Sequence, residues 1–371
     1  MRIGIDVSPA IRYYKTGTEW YVYNLIEALK KVDSTNHFFL LYSPTPLSSD
    51  LVKLPAHWQN KVLSWPFKYL WTQIRLSLEM LFRAPDILFV PAHALPLIHP
   101  KKVITTIHDL GFERSPEVYT RWQRFYYRFA HRFAAKHAVK IIVPSEFTKR
   151  ELINLYDVSP EKIVVVPLGY DSSLFKVYAQ EKIQEVLMAF KISGPYLLYF
   201  GRLTKKKGLI KLIDAFKSIS DENQDLKLVL LGKPDFGYQE IKQRIAFHKL
   251  ENKIIELGWV EEDKMSFIIG GARLCLMPSL YEGFGLPVLE AMACGSPIII
   301  STNEALVEVG GEAALMVKND SVEAWIEAVK QVLSSRELRE EMISAGFIQA
   351  KNFSWEKCAK NTLDVIDEFT K

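Results

Sequence analysis

Residues 274–301, LCLMPSLYEGFGLPVLEAMACGSPIIIS, contain the clearest structural signals in the chain. The apolar run Leu274–Met277 stops at a proline and predicts a buried parallel strand. Gly283 and Gly285 follow it, and because neither has a Cβ they let the backbone turn tightly and approach a ligand. Pro287 suits the first turn of a helix, where its missing N–H costs nothing. A second apolar run ends the stretch, which therefore predicts strand, glycine turn, helix and strand.

The glycine turn also predicts a ligand site. The amides of Phe284, Gly285 and Leu286 lie at the start of the predicted helix, where free N–H groups and the helix dipole favour an anion such as phosphate. Glu282 lies in the turn and Glu290 lies about one turn into the helix, and their carboxylates can accept hydrogen bonds from sugar hydroxyls. The alternative is a capping glutamate and an unrelated surface glutamate.

At these residues the chain resembles the donor site of the retaining nucleotide-sugar glycosyltransferases of group 1, which include bacterial mannosyltransferases, glycogen synthases and sucrose synthases. The resemblance continues through residues 257–260 and 271–273. It implies an α/β fold of the GT-B type, with two Rossmann-like doubly wound domains facing a cleft. It further implies that Glu290 holds the nucleotide ribose, that Glu282 holds the transferred sugar, and that the amides of residues 284–286 face the sugar and phosphate.

Length and composition fit this two-domain expectation. The chain has 371 residues, of which 49% are apolar, enough for two ordinary globular domains. It contains no apolar run of about 18 residues and no signal-peptide pattern, so we expect a cytoplasmic protein. Its three cysteines are odd in number and lack metal-ligand spacing, which indicates buried, reduced thiols.

The two halves differ in charge. Residues 1–170 contain 22 lysines and arginines against 14 acidic residues, whereas the remainder contains 25 against 29. We therefore predict a basic, acceptor-side Rossmann-like domain over residues 1–175 and a donor-binding Rossmann-like domain over residues 176–351. By resemblance, a C-terminal helix at 352–371 packs back on the first domain.

Basic residues follow the first strand predicted in the second domain. The strand Tyr196–Phe200 precedes the sequence GRLTKKKG and a helix, so these basic side chains can reach a diphosphate, although a lysine cluster is commonly only a solvated turn. The resemblance selects Arg202 and Lys207 as phosphate ligands. A further strand ends at Gly232, where a base or ribose can lie.

The first domain opens with a predicted strand, a glycine turn and a helix, and Gly17 lies in that turn. The turn resembles the glycine loop of the family, although the family usually has paired glycines there. The opening Ile-Gly-Ile-Asp also occurs in actin-like sugar kinases, but these have a Gly-Thr-rich turn next, which is absent here. His93 and His108 follow two buried strands. The resemblance implies that His108 contacts the donor sugar, whereas His93 is more typical of a structural histidine.

Residues 121–140 contain basic residues at every third or fourth position, no acidic residue, and an adjoining aromatic set. This pattern is compatible with peripheral contact with an anionic membrane, at its inner face, and the mixed segment 64–83 is a second candidate. The alternative is an ordinary helix that packs its aromatic residues inward and leaves a solvated arginine face. We expect no nucleic-acid partner, because no recognition motif accompanies the charge.

The resemblance implies a retaining glycosyltransferase that moves a hexose from a nucleotide-sugar co-substrate to a sugar or lipid-linked acceptor. Its likeness to bacterial mannosyltransferases favours mannose from GDP-mannose, a UDP-hexose comes next, and cell-surface polysaccharide or glycolipid assembly is the expected setting. No Asp-x-Asp pair occurs, so we expect neither a metal nor another cofactor. The alternatives are a phosphorylase or hydrolase of the same fold and a non-catalytic nucleotide-sugar binding protein.

Overall fold

A computed structural model describes residues 1–12, 15, 17–33, 37–47, 49–67, 70–317 and 321–369. The chain divides into two compact units. Unit 1 comprises Met1–Glu113, Tyr119–Gly169 and the chain from Trp355 onward, and unit 2 comprises Arg114–Val118 and Tyr170–Ser354. The domain boundary predicted at residue 175 thus falls a few residues inside unit 2.

In its described part, unit 1 contains a seven-stranded parallel sheet in the order β3-β2-β1-β4-β5-β6-β7. The strands are β1 (Arg2–Asp6), β2 (Phe38–Ser43), β3 (Trp58–Val62), β4 (Ile87–Val90), β5 (Val103–Thr106), β6 (Lys140–Val143) and β7 (Ile163–Val165). The central strands are largely apolar, as expected of parallel strands that are covered on both faces. The strand order reverses between β1 and β4, which is where open sheets of this kind leave a crevice.

Unit 2 contains, among its described residues, a six-stranded parallel sheet in the order β10-β9-β8-β11-β12-β13. The strands are β8 (Tyr196–Phe200), β9 (Lys227–Leu231), β10 (Ile254–Gly258), β11 (Leu274–Met277), β12 (Ile298–Ile300) and β13 (Leu315–Met316). All residues of β8 and β11 are buried. The order reverses between these two strands, so their carboxyl ends border the crevice of this sheet.

The helices alternate with the strands as in doubly wound folds. They are α1 (Gly17–Val32), α2 (Ser77–Arg83), α3 (Gly111–Arg114), α4 (Arg121–His137), α5 (Glu146–Tyr156), α6 (Gln180–Ala189), α7 (Leu209–Glu222), α8 (Tyr238–Phe247), α9 (Glu262–Gly270), α10 (Leu286–Ala293), α11 (Glu304–Gly310), α12 (Val322–Ser334), α13 (Arg336–Ala350) and α14 (Trp355–Asp367). A π-helical segment, Trp71–Leu76, precedes α2. The predicted α/β class with two doubly wound sheets is confirmed.

Helix α14 is the last element of unit 1, and it packs against α1. The rings of Tyr21 and Trp355 lie 6.1 Å apart, and the inward face of α14 includes the buried Leu363 and Ile366. The predicted C-terminal helix, 352–371, corresponds to a helix that starts at Trp355, and its last two residues lie outside the described residues.

The elements of unit 1 that were not predicted include strand β3 and the π-helical segment. Strand β3 is an edge strand in which only Trp58 is buried, so its sequence lacks the apolar run by which the inner strands are recognised. The π-helical segment has no simple sequence periodicity, because a helix with i→i+5 bonding does not repeat at 3.6 residues.

Candidate active site

The crevice of unit 2 lies where the chain leaves β8 and β11. The turn after β8, residues 201–208, contacts the turn after β11, residues 278–285. The amide of Leu280 donates a hydrogen bond of 2.9 Å to the carbonyl oxygen of Lys206. Gly208 has φ of 69°, and a Cβ at that position would lie 2.0 Å from the carbonyl oxygen of Pro278. The two turns are therefore held together by their backbones.

Lys207 and Glu282 meet across these two turns. The ammonium group of Lys207 forms an ion pair with Oε1 of Glu282, and each side chain is 15% exposed. The hydroxyl of Ser279 donates a hydrogen bond of 2.8 Å to the same oxygen of Glu282. Ser301, at the end of β12, donates from its hydroxyl to the carbonyl oxygen of Ser279 at 2.6 Å. A chain of hydrogen bonds thus fixes the orientation of the Glu282 carboxylate.

The N-terminus of α10 provides free backbone donors next to this pair. Gly285 caps the helix with φ of 116°, and a Cβ there would lie 2.5 Å from Cδ2 of Leu306, so only glycine fits. Gly283 does not adopt a positive φ in this turn. Within the described part of the chain, the amides of Phe284, Gly285 and Leu286 form no hydrogen bond with the protein. These N–H groups and the helix dipole remain available to an anion.

Glu290 lies on α10, and its side chain is partly buried. Burial raises the pKa of this carboxyl group to about 8, and the nearby carboxylate of Glu262 adds to the increase. At neutral pH the group is therefore largely protonated. A neutral carboxyl group can donate one hydrogen bond as well as accept others, which suits a pair of adjacent hydroxyl groups.

Two further predicted residues of unit 2 lie at the same edge of the sheet. Arg202 donates from Nη1 to Oδ2 of Asp235 at 3.0 Å, and its side chain is 58% exposed. Gly232 has φ of 148°, and a Cβ there would lie 1.8 Å from the carbonyl oxygen of Gly201. The structure thus brings Lys207 and Glu282 together and places Arg202 on Asp235. The close packing of Gly232 against the backbone of Gly201 is sufficient to explain why a glycine occupies this position, without a contact to a ligand.

Sequence reasoning missed Ser279, Ser301 and Asp235. Each is a single small polar residue in the loop that follows a buried strand, and it has no distinguishing spacing. Ser279 offers one usable signal, because it lies three residues before Glu282 inside a tight turn, where a hydroxyl and a carboxylate readily meet.

His108 lies in unit 1, just after β5. Its Nε2 is 3.1 Å from the carbonyl oxygen of Pro91, and since a carbonyl only accepts, Nε2 carries the hydrogen. Burial lowers the pKa of His108 to about 4, although the hydrogen bond to Pro91 opposes the decrease. The ring packs edge-on against Tyr21 with centroids 4.6 Å apart. The imidazole is therefore neutral near pH 7, and Nδ1 is its acceptor atom.

Two other predicted positions of unit 1 differ in their surroundings. Gly17 is the first residue of α1, and a Cβ there would meet no atom of the described residues within 4 Å. Thr16, beside it in the predicted loop, lies outside the described residues. His93 stacks on His131 with centroids 5.1 Å apart and packs edge-on against Tyr127, and burial lowers its pKa. These contacts favour a structural role for His93.

The geometry of unit 2 suits a ligand that combines a diphosphate with sugar hydroxyls. A lysine, an exposed arginine and free helix amides complement negative charge, while two carboxyl groups complement hydroxyls. Among the described residues, no cluster of three or more histidines, cysteines and carboxylates could hold a metal ion.

Comparisons with known proteins agree with this description. Residues 188–349 match the family model for glycosyl transferases group 1, and residues 15–174 match the model for glycosyltransferase family 4. The O-antigen chain mannosyltransferase B of Escherichia coli is 30% identical over 266 residues, which cover 71% of this chain and 70% of that protein.

Solved structures show the same fold. The sucrose-phosphate synthase of Thermosynechococcus elongatus superimposes with a TM-score of 0.79 at 19% identity, covering 100% of this chain and 99% of that one. Anabaena HepE, in complex with UDP and glucose, gives a TM-score of 0.75 at 19% identity and covers 99% and 100% of the two chains. The predicted GT-B fold and the predicted glycosyltransferase activity are confirmed, and the chain belongs to the group 1 glycosyltransferases.

Proposed function

We propose that the crevice between β8 and β11 binds the donor, a sugar linked to a nucleoside diphosphate. The observation that carries this proposal is the Lys207–Glu282 ion pair beside the free amides at the start of α10. A diphosphate needs cationic and N–H partners, and a hexose needs carboxylates that accept from its hydroxyls. Both kinds of group converge here within one pair of turns.

The proposed roles follow from this chemistry. Lys207 and the amides of residues 284–286 stabilise the negative charge that grows on the leaving diphosphate as the glycosidic bond breaks. Glu282, held by Ser279, accepts from hydroxyls of the transferred sugar, and Glu290 binds the ribose. Arg202 is exposed beside the crevice, where it pairs with Asp235. When the donor binds, Arg202 releases Asp235 and binds a phosphate instead. Each charge-assisted contact is worth about 1.5–3 kcal/mol.

Mannose carried by GDP is the favoured donor, because a relative at 30% identity is named as a mannosyltransferase. A UDP-hexose comes next, because HepE, which shares the fold, is found with UDP and glucose. The name of the relative refers to O-antigen chains, so a cell-surface polysaccharide or glycolipid intermediate is the acceptor that we propose.

We further propose that transfer retains the anomeric configuration and needs no metal. A covalent intermediate would need a carboxylate nucleophile, but Glu282 is engaged by Lys207 and Ser279 and is assigned to the sugar hydroxyls. Front-face displacement, in which the leaving diphosphate accepts the acceptor's proton, therefore accounts better for retention. Lys207, Arg202 and the helix amides supply the positive field for the diphosphate.

The first experiment is calorimetric titration of the protein with GDP, UDP, ADP, dTDP and their sugar conjugates, without metal and with EDTA. We expect one base to bind, and we expect Glu290→Ala to weaken binding of that nucleotide at least tenfold. If no nucleotide binds and Glu290→Ala equals wild type, the donor-site assignment is wrong.

A second experiment separates transfer from the alternative reactions. The chosen nucleotide sugar is incubated with candidate acceptors, and the product is examined by NMR for its anomeric configuration. Transfer with retention supports the proposal. Sugar release that depends on inorganic phosphate would indicate a phosphorylase, release to water alone a hydrolase, and binding without turnover a non-catalytic protein. Activity abolished by EDTA and restored by Mg²⁺ or Mn²⁺ would contradict metal independence.

A further inference from the structure

Three segments of unit 1 that expose large apolar side chains lie next to one another. They are residues 70–83, which include the π-helical segment and α2, the loop 97–102, and α4. The side-chain amide of Gln73 donates to the hydroxyl of Tyr126 at 2.8 Å, which joins the first segment to α4. The amide of Ile98 donates to the hydroxyl of Ser77 at 3.3 Å, which joins the loop to α2. We call residues 70–83, 97–102 and 121–137 the aromatic-basic surface.

Helix α4 exposes three of its aromatic residues to solvent. Trp122, Phe125 and Phe129 are 74%, 63% and 47% exposed, and their spacing places them on one face of the helix. The face that packs inward contains the buried Ala130, His131 and Ala134, and the partly buried Tyr127 and Phe133 pack against the core beside them. The alternative of a helix that packs its aromatic residues inward therefore holds for the two that contact the core, but not for the three that are exposed.

The first segment and the loop carry a similar apolar stripe. In residues 70–83 the exposed apolar side chains recur at intervals of three or four residues or directly adjoin one another, and Phe82 is 77% exposed. The full set in these two segments is Leu70, Ile74, Leu78, Leu81, Phe82, Leu97 and Ile98. Large apolar side chains exposed together on adjoining segments are typical of a surface that binds a partner or a membrane.

The same surface is strongly basic. The only acidic residue in the described residues 70–83, 97–102 and 121–137 is Glu79, which is 6% exposed and paired with Lys61 and Arg75. The basic residues are Arg75, Arg83, Lys101, Lys102, Arg121, Arg124, Arg128, Arg132 and Lys136. From a neighbouring element, Glu113 engages only Arg128 of this set by an ion pair. In the described part of the chain, Arg121, Arg132 and Lys136 form no ion pair.

We propose that the aromatic-basic surface binds peripherally to an anionic phospholipid bilayer. Exposed Trp and Phe side chains insert at the boundary between headgroups and acyl chains, while Arg and Lys extend to the phosphates around them. A second copy of the chain is a poor occupant, because a two-fold interface would place this basic surface against itself. No helix in the described residues is long and apolar enough to span a bilayer. This proposal does not depend on the donor site.

The surface is preformed, so binding does not require a segment to fold. Thr120 and Gln123 form a reciprocal capping box at the start of α4, which fixes its first turn, and three histidine–aromatic contacts fix its far end. Vesicle binding therefore should depend on side-chain identity and charge without a gain in helix content.

The test is cosedimentation of the full chain with vesicles of phosphatidylcholine alone or with about one third phosphatidylglycerol. We expect binding only to the anionic vesicles, weaker as salt rises. The double variants Phe82→Ser/Trp122→Ser and Arg121→Glu/Arg132→Glu should each lower binding about tenfold or more. Their melting temperatures and nucleotide affinities should stay at the wild-type values, which shows that the variants are folded.

Matched controls come from unit 2. Phe247→Ser removes an aromatic side chain that is 73% exposed, and Lys182→Glu reverses an exposed charge, so both should leave vesicle binding unchanged. The proposal is overturned if anionic vesicles do not bind at low salt, or if neutral vesicles bind equally well. It is also overturned if the surface variants and the controls behave alike, or if the surface variants instead abolish a concentration-dependent dimer.

Discussion

The hydroxyl of Ser279 donates a hydrogen bond of 2.8 Å to Oε1 of Glu282, the oxygen that also pairs with Lys207. Ser279 is fully buried, and Ser301 in turn donates to its carbonyl oxygen. The side chain therefore cannot contact a ligand, and its effect on the crevice is to orient the carboxylate.

We expect Ser279→Ala to lower kcat more than it raises KM for the donor. The loss of one hydrogen bond to a charged group costs about 1.5–3 kcal/mol. Without it the carboxylate of Glu282 is less well oriented, and it therefore stabilises the transition state less. Ser279→Thr keeps the hydroxyl and should recover most of the activity. Equal kcat for Ala, Thr and wild type would contradict a positioning role.

Lys207 and Lys205 allow a matched test of the phosphate contact. Lys207 is paired with Glu282 in the crevice, whereas Lys205 is 44% exposed and paired with Glu240. Lys207→Ala should lower kcat/KM for the donor at least tenfold, since a charge-assisted contact is lost. Lys205→Ala should stay within about twofold, as expected of an exposed ion pair. Nucleotide titration of the two variants, with melting temperatures as a check on folding, distinguishes them.

The raised pKa of Glu290 should make the stability of the ligand-free protein depend on pH. Its pKa is raised from 4.5 to about 8, so the folded protein keeps a proton that the unfolded chain releases between these values. The contribution of the protonated Glu290 to the free energy of unfolding is therefore complete at pH values below the pKa of the unfolded chain, and it is lost as pH rises through about 8. Thermal melts of Glu290→Gln should show a flatter decline from pH about 6 to about 9 than wild type.

Asp6 provides the control for this pH profile. Burial raises its pKa from 3.8 to about 6, so its contribution is lost at lower pH than that of Glu290. Asp6→Asn should leave the decline above pH about 7 intact. If Glu290→Gln leaves the whole profile unchanged, the raised pKa of Glu290 is wrong.

Alanine substitutions at Gly285 and Gly17 test two different reasons for a glycine: lack of space for a side chain, and close contact between the backbone and a substrate. Gly285→Ala forces a side chain into φ of 116° against Leu306 and should lower the melting temperature by several degrees. The Cβ added by Gly17→Ala would meet no atom of the described residues within 4 Å, so we expect the melting temperature to stay unchanged. If a substrate approaches the Gly17 backbone, this variant raises KM at unchanged stability, whereas unchanged kinetics would remove Gly17 from the site.

The inner strands and the glycine turn could be predicted from the sequence because the signals are local. A buried parallel strand is recognised as a run of apolar residues. The turn before α10 has one position with a positive φ, and that position is occupied by a glycine, Gly285. The chemistry at Lys207 and Glu282 was predictable only through the resemblance to a family, since three consecutive lysines do not show which one faces a carboxylate.

The amino-acid sequence alone determined the α/β class, the two doubly wound sheets and the enzyme family, because periodicity, turn residues and motif spacing are properties of contiguous stretches. Tertiary structure alone decided that Lys207 contacts Glu282, that Arg202 pairs with Asp235, and that three aromatic residues of α4 face solvent. These contacts join residues far apart in the chain, or depend on which face a neighbouring element covers. Both are set by packing between elements, which no single stretch of sequence contains.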